Sequence, residues 1–200
     1  MLVSDLKLID LKKNFDEYQD IWHDCQQYIR QHCRDDLLFR NYVNINFDDF
    51  LSFTAAINND DIAAFGAVEV KPQCWGAGVA RALTRFWINP KYRTQGLTKW
   101  RNSKIKYSPT VLRPQLEFLK TQAQIQSVII TREGDYPRSF TEIIRLANTV
   151  SDREFIIMPG RYNVCECMKS PPESCRQFVA TNDVEHFRLA QSQGYFQQYE

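Results

Sequence analysis

No run in this sequence approaches the roughly 20 consecutive apolar residues that a helix needs to span a bilayer, so no membrane-crossing helix is expected. Charge of one sign is also missing: 25 Lys and Arg stand against 24 Asp and Glu, a net charge of +1. A general polyanion binder needs a broad basic face, and this balance leaves room only for a local basic patch. Glycine (7) and proline (8) are sparse, and no repeat or low-complexity stretch appears, which excludes a disordered chain or a repeat array. The three histidines, His23, His32 and His186, are scattered, so no Ser-His-Asp or Cys-His arrangement can be inferred. Six irregularly spaced cysteines, without a secretory or transit signal at the start, point to reduced thiols and a cytoplasmic location. Cys165, Cys167, Cys175 and His186 lack the two tight pairs of a structural zinc site, so no metal is expected.

What the chain does have is aromatic residues, at 13 %, and enough length to bury a full core in one domain over residues 1–200. VSDLKLIDLK reads as a first strand. Phe15, Tyr18, Trp22, Cys25 and Ile29 recur at helical spacing. A short helix is expected through DFLSF or just before it. FTAAINNDDIAAFGAVEV reads as a hairpin turning at NNDD, with VARALTRFWI beside it and stopping at Asn89-Pro90. Val111, Leu112, Leu116, Leu119 and Ala123 mark a helix, SVIITRE a buried strand, and Phe140, Ile143, Ile144 and Ala147 another helix. Pro109 and Pro114 suggest an insertion over about 99–114, or a broken first turn before the helix over 99–110. The variable part from 151 reads as extended runs at EFIIMPGRYNV and CRQFVAT and a closing helix in DVEHFRLAQSQ. The class is α+β or mixed α/β, with a central, mostly antiparallel mixed sheet flanked by helices. Strand–helix–strand order makes VARALTRFWI and SVIITRE parallel neighbours, parting near Ile88.

The strand end runs into NPKYRTQGLTKWR, where Lys91, Arg93, Lys99 and Arg101 surround Gly96 without an acidic residue. Free amides at a helix start, a glycine that admits close approach and flanking cations suit a phosphate. In this context FWINPKYRTQGLT resembles the acetyl-CoA-binding motif of the GNAT family of N-acetyltransferases. The motif runs Gln or Arg, two residues, Gly, one residue, Gly or Ala. Here it reads Arg93-Thr94-Gln95-Gly96-Leu97-Thr98, with Thr98 in the last place. The resemblance implies that amides from Gln95 to Thr98 hold the pyrophosphate of acetyl-CoA. It also implies that the backbone near Trp87 and Ile88 pairs with the pantetheine arm. The family's later Asn…Tyr…Gly-Phe signature is missing after SVIITRE.

The resemblance further implies direct attack of an amine acceptor on the acetyl group, in a ternary complex. A backbone N–H near Ile88 would polarise the oxyanion. VARALTRFWI offers no carboxylate, so Glu69 is the first candidate for general base and Glu133 the second. Tyr136 and Ser139 are candidates for the acid that protonates the thiolate. The nature of the amine and a homodimer are both left open, as is a domain of this shape that only binds CoA. The rival is a nucleic-acid-binding module: residues 91–113 carry seven basic residues among Tyr92, Trp100 and Tyr107. Acidic residues elsewhere, Asp16, Glu17, Asp35, Asp36, Asp48, Asp49, Asp60 and Asp61, count against a wide basic face.

Overall fold

The hairpin at NNDD forms because Asn59 and Asp60 both take left-handed backbone angles, φ 46° and 66°, a conformation that short polar side chains tolerate best. It joins β2 (Phe50–Asn58) to β3 (Asp61–Val70). The structure, a computed structural model, describes residues 6–32, 50–92, 97–133, 137–164 and 176–199. Within these, only the backbone is described at 30–32, 97–106, 133 and 137.

β1 (Lys7–Asp10) lies antiparallel to β2, and β4 (Val79–Ile88) antiparallel to β3. β5 (Ser127–Glu133) pairs parallel with β4, as strand–helix–strand order requires. β6 (Ile156–Ile157), β7 (Arg161–Asn163), β8 (Arg176–Thr181) and β9 (Gln198–Tyr199) complete the sheet. Its order is β1-β2-β3-β4-β5-β8-β7-β9, with β6 also on β8. Among the described strands only β4–β5 is parallel, so the expected mixed, mostly antiparallel sheet is present.

The helices are α1 (Gln19–His32), the single turn α2 (Pro72–Trp75), α3 (Leu97–Lys120), α4 (Pro137–Asn148) and α5 (Val184–Ser192). Alternation along the strands sends two sets of side chains to the two faces. On one face Val68, Ala80, Ala82, Val128, Ile130 and Ala180 meet Leu112 and Leu116 of α3 and Phe140 and Ile144 of α4. On the other, Phe53, Phe65, Ala67 and Trp87 meet Trp22, Cys25 and Ile29 of α1, while Ile129 and Val179 meet Phe187 and Ala190 of α5. Each large side chain buried this way contributes about 1.5–3 kcal/mol.

Three expectations change. α1 begins only at Gln19, so Phe15 and Tyr18 sit in the turns before it and pack on the same cluster from there. DFLSF is not helical over its described part: Phe50–Phe53 opens β2, where pairing with β3 outweighs local preference, and the stretch just before it lies outside the described residues. The broken turn expected over 99–110 is helix. α3 runs 24 residues from Leu97 through Pro109 and Pro114. These prolines remove the amides that would bond the carbonyls of Ile105 and Thr110, a cost of about 3 kcal/mol in an isolated helix. Complete burial of Val111 and near-complete burial of Tyr107, Leu112 and Leu116 offset it.

Candidate functional site

β4 and β5 share only three paired positions, Val79↔Ser127, Ala80↔Val128 and Arg81↔Ile129. From residue 82 on, β4 continues to Ile88 along β3 alone. The strands therefore part after Arg81, well before the expected Ile88. The reason lies in β4 itself. Between Arg81 and Trp87 it holds two extra residues relative to β3, each a bulge that bends and twists the strand. Leu83 (φ 53°) and Arg85 (φ 54°) sit there in left-handed conformations that non-glycine residues rarely adopt. Such strain, of order 1–3 kcal/mol per residue, persists only where the surroundings impose it. Part of that constraint is visible: the Leu83 amide donates to Gln115 Oε1 of α3 at 3.0 Å, so a side chain replaces the missing strand partner.

Beside the parting, on the face shared by α1 and α5, lies a polar track that neither helix core covers. Glu69 is its centre, 2 % exposed. Thr84 Oγ1 donates to Glu69 Oε2 at 3.0 Å, and Arg85 Nε lies 3.6 Å from Oε1. This pairing lets the carboxylate remain buried, since an isolated buried charge is expensive. Next to it Arg81, the Cα partner of Glu69, donates from Nη2 to Gln177 Oε1 of β8 at 3.3 Å. Thr131 Oγ1 of β5 is buried without a hydrogen-bond partner.

Of the expected catalytic residues, the structure brings Glu69 to the parting. Glu133 ends β5 opposite Gln177, described by its backbone alone. Ser139 is half-buried in the first turn of α4, and Tyr136 lies outside the described residues. Thr84, Arg85, Arg81, Gln177 and Gln115 were missed by sequence reasoning. Gln115 left one signal, a polar residue inside the apolar stripe Val111–Leu112–Leu116–Leu119.

The basic loop is only partly in view. Arg93, Thr94, Gln95 and Gly96 lie outside the described residues. Leu97 and Thr98 open α3, so their amides belong to the first turn, where no carbonyl of the helix can reach them. Lys91 serves otherwise: its ammonium bonds the Asp61 carboxylate at the β2–β3 turn. Tyr92 adds its hydroxyl to Asp61 at 3.3 Å and accepts from Asn58 at 3.2 Å. The hydrogen bond from Lys91 holds the Asp61 carboxyl below the usual carboxylate range and raises Lys91 in turn. Trp87 and Ile88 send their side chains to opposite cores. Trp87 stacks on Tyr28 (4.3 Å) and Phe65 (5.2 Å), and Ile88 packs by Tyr107 and Val111. Tyr107, counted above among aromatics able to stack on bases, is 2 % exposed in that core, and burial pushes its phenol up.

A cavity of about 380 Å³ lies at the other end of the same strands, lined by Ala77, Gly78, Gln124, Gln126, His186 and Leu189. His186 Nε2 there lies 3.0 Å from the Ala77 carbonyl. Among the described residues no group of His, Cys, Asp and Glu could hold a metal, and no helix is long and apolar enough to cross a membrane. Cys165, Cys167 and Cys175 lie outside them.

No family model and no curated protein matches this sequence. Solved structures do match. A ribosomal-protein alanine N-acetyltransferase from Escherichia coli matches at 13 % identity and a TM-score of 0.49, over 88 % of this chain and 90 % of that one. An acetyltransferase from Salmonella typhimurium that modifies the N-terminal serine of a ribosomal protein matches at 11 % and 0.47, over 90 % and 96 %. Spermidine N-acetyltransferase from Vibrio cholerae, in complex with CoA and spermine, matches at 10 % and 0.46, over 89 % and 95 %. At these identities and scores the likenesses carry no argument, and the functional reading rests on the chain's own geometry.

Proposed function

We propose that this chain is a GNAT-like N-acetyltransferase that moves the acetyl group of acetyl-CoA to an amine. The observation that carries the reading is the parting of the parallel pair β4–β5 after Arg81, followed in the chain by the basic glycine segment and the start of α3. The edge of β4 that β5 leaves beyond Arg81 can hydrogen-bond an extended pantetheine arm as a further strand would. In this reading the segment that follows in the chain, Arg93, Thr94, Gln95, Gly96, Leu97 and Thr98, supplies amides and positive charge to the pyrophosphate.

The chemistry then follows from direct attack. Glu69 accepts a proton from the acceptor ammonium, directly or through water, and the neutral amine adds to the acetyl carbonyl. A β4 amide near Ile88 steadies the oxyanion, the C–S bond breaks, and the CoA thiolate leaves with a proton from Tyr136 or Ser139. What supports Glu69 is its burial beside the opening with Thr84 and Arg85 as partners. Glu133 is the alternative base. One domain spans residues 1–200 in this reading.

Calorimetric titration with acetyl-CoA, coupled to amine-dependent release of free CoA thiol, tests the reading. Binding with 1:1 stoichiometry and amine-dependent thiol release are expected. Absence of acetyl-CoA binding by the folded protein overturns it.

A further inference from the structure

The bond between Arg81 and Gln177 spans a strand that lies between their own. Arg81 is on β4 and Gln177 on β8, with β5 in the middle. Arg81 is level with Ile129 of β5, and Gln177 is level with Glu133. A side-chain bridge between those levels passes over Thr131, midway along β5. Alternation puts Thr131 on the same face as Ile129, hence under the bridge. This explains why the Thr131 hydroxyl is buried, and it leaves that hydroxyl without a partner. An unpaired buried hydroxyl costs free energy, so it marks a place where an acceptor is missing.

Arg81, half-buried beside it, is paired with a neutral group. A guanidinium carries five N–H donors, and among the described side chains this one meets the neutral amide oxygen of Gln177 and no carboxylate. The neighbouring carboxylate, Glu69, is taken by Thr84 and Arg85. Among the described side chains the track therefore holds one anion, Glu69, and two half-buried cations, Arg81 and Arg85. Gln177 Oε1 stands where an anionic oxygen would bind more strongly, because charge-assisted hydrogen bonds are about twice as strong as neutral ones.

We infer that Arg81, with Thr131 and Gln177, docks the carboxylate of the acceptor, and that the acceptor is a free amino acid. The inference rests on the acetyl-transfer reading and deepens it. Placement selects the class: Arg81 and Glu69 are directly opposed on neighbouring strands, so both side chains leave the same face of the sheet. An acceptor whose amine meets Glu69 can then set a carboxylate against the Arg81 side chain on that same face. A polyamine would bring its second cation against Arg81. The carboxylate replaces Gln177 Oε1 on the guanidinium, accepts from Thr131, and leaves the amine facing Glu69.

The test pairs each free amino acid with its own carboxamide in acetyl-CoA-dependent thiol release, using wild type, Arg81→Met and Thr131→Val. The expected result is at least one amino acid preferred over its amide by about tenfold or more in kcat/KM, the size of one charge-assisted hydrogen bond. Arg81→Met should abolish that preference through KM, with acetyl-CoA affinity by calorimetry unchanged. Thr131→Val, which keeps the side-chain shape, should reduce it several-fold, so the result does not hang on one variant folding. Carboxamides accepted as well as acids, no amino acid acetylated, or a preference that survives Arg81→Met each overturn the inference while acetyl-CoA binding upholds the reading beneath it. Loss of acetyl-CoA binding in wild type overturns both.

Discussion

Leu83 donates its amide to Gln115 at the first of the two bulges that β4 makes after it has left β5. Gln115 is fully buried, and its Nε2 is buried without a partner. The side chain therefore holds a strained bulge at a cost to itself. Gln115→Met keeps most of the volume and strands the Leu83 N–H. A loss of about 1–3 kcal/mol is expected in urea unfolding, the cost of one buried unsatisfied donor. Acetyl-CoA affinity should fall as well, because the edge it uses is no longer fixed. Unchanged stability would mean that the bulge does not depend on Gln115.

Gly66 of β3 sets how closely α3 approaches. A Cβ there would meet Val111 Cγ1 at 3.0 Å and Gln115 Nε2 at 3.3 Å. Gly66→Ala should cost about 1–3 kcal/mol by overpacking. In this account it also pushes Gln115 off Leu83, so its effect and that of Gln115→Met should be less than additive in a double-mutant cycle. Strict additivity would separate the two.

Glu69→Gln removes the proposed base and keeps the shape. Turnover should fall by about 10²–10⁴-fold, the usual range for a general base. Acetyl-CoA affinity by calorimetry should change little. Full turnover in the variant would move the role to Glu133 or elsewhere.

The tether from Asp61 to Lys91 and Tyr92 fixes the approach to the basic loop. The Asp61 carboxyl is held low by Lys91, so its contribution is present above the unfolded value of 3.8 and is lost as pH falls through the lowered folded value. Lys91 is raised, so its contribution is present below 10.5 and is lost as pH rises through the higher folded value. Across neutral pH the tether is intact. Asp61→Asn should leave a flat difference in acetyl-CoA affinity between pH 6 and 9 and little change in Tm, since the pair is exposed. A difference that varies across that window would assign it to another group.

Gly96→Glu brings a side chain and a like charge to the proposed pyrophosphate site. Losing two charge-assisted hydrogen bonds predicts a fall in acetyl-CoA affinity of about a hundredfold or more, with a much smaller shift in Tm. Wild-type affinity in the variant would remove the glycine loop from the site.

Much of this was legible in the sequence because periodicity reports burial. NNDD marked the hairpin, extended apolar runs marked β3–β5 and most of β2, and the Phe140, Ile143, Ile144, Ala147 spacing marked α4. The parting of β4 and β5 was placed too late because a bulge leaves no composition signal: Leu83 and Arg85 are ordinary strand residues held at positive φ by their surroundings. α3 was cut short because Pro109 and Pro114 read as breakers, whereas tertiary burial of Tyr107, Val111 and Leu112 carries the helix through them. Glu69 could be named from its place before a strand without carboxylates. Arg81, Thr131 and Gln177 could not, since their meeting depends on the order of β4, β5 and β8 across the sheet.

The central claim is that acyl-CoA occupies the opening between β4 and β5. A crystal structure of the protein with CoA tests it most directly. The account predicts the pantetheine arm against residues 82–88 of β4, the pyrophosphate at residues 95–98, and the sulfur on the side of Glu69. CoA bound instead in the cavity beside His186, or an opening closed by the chain's own side chains with CoA elsewhere, would contradict it.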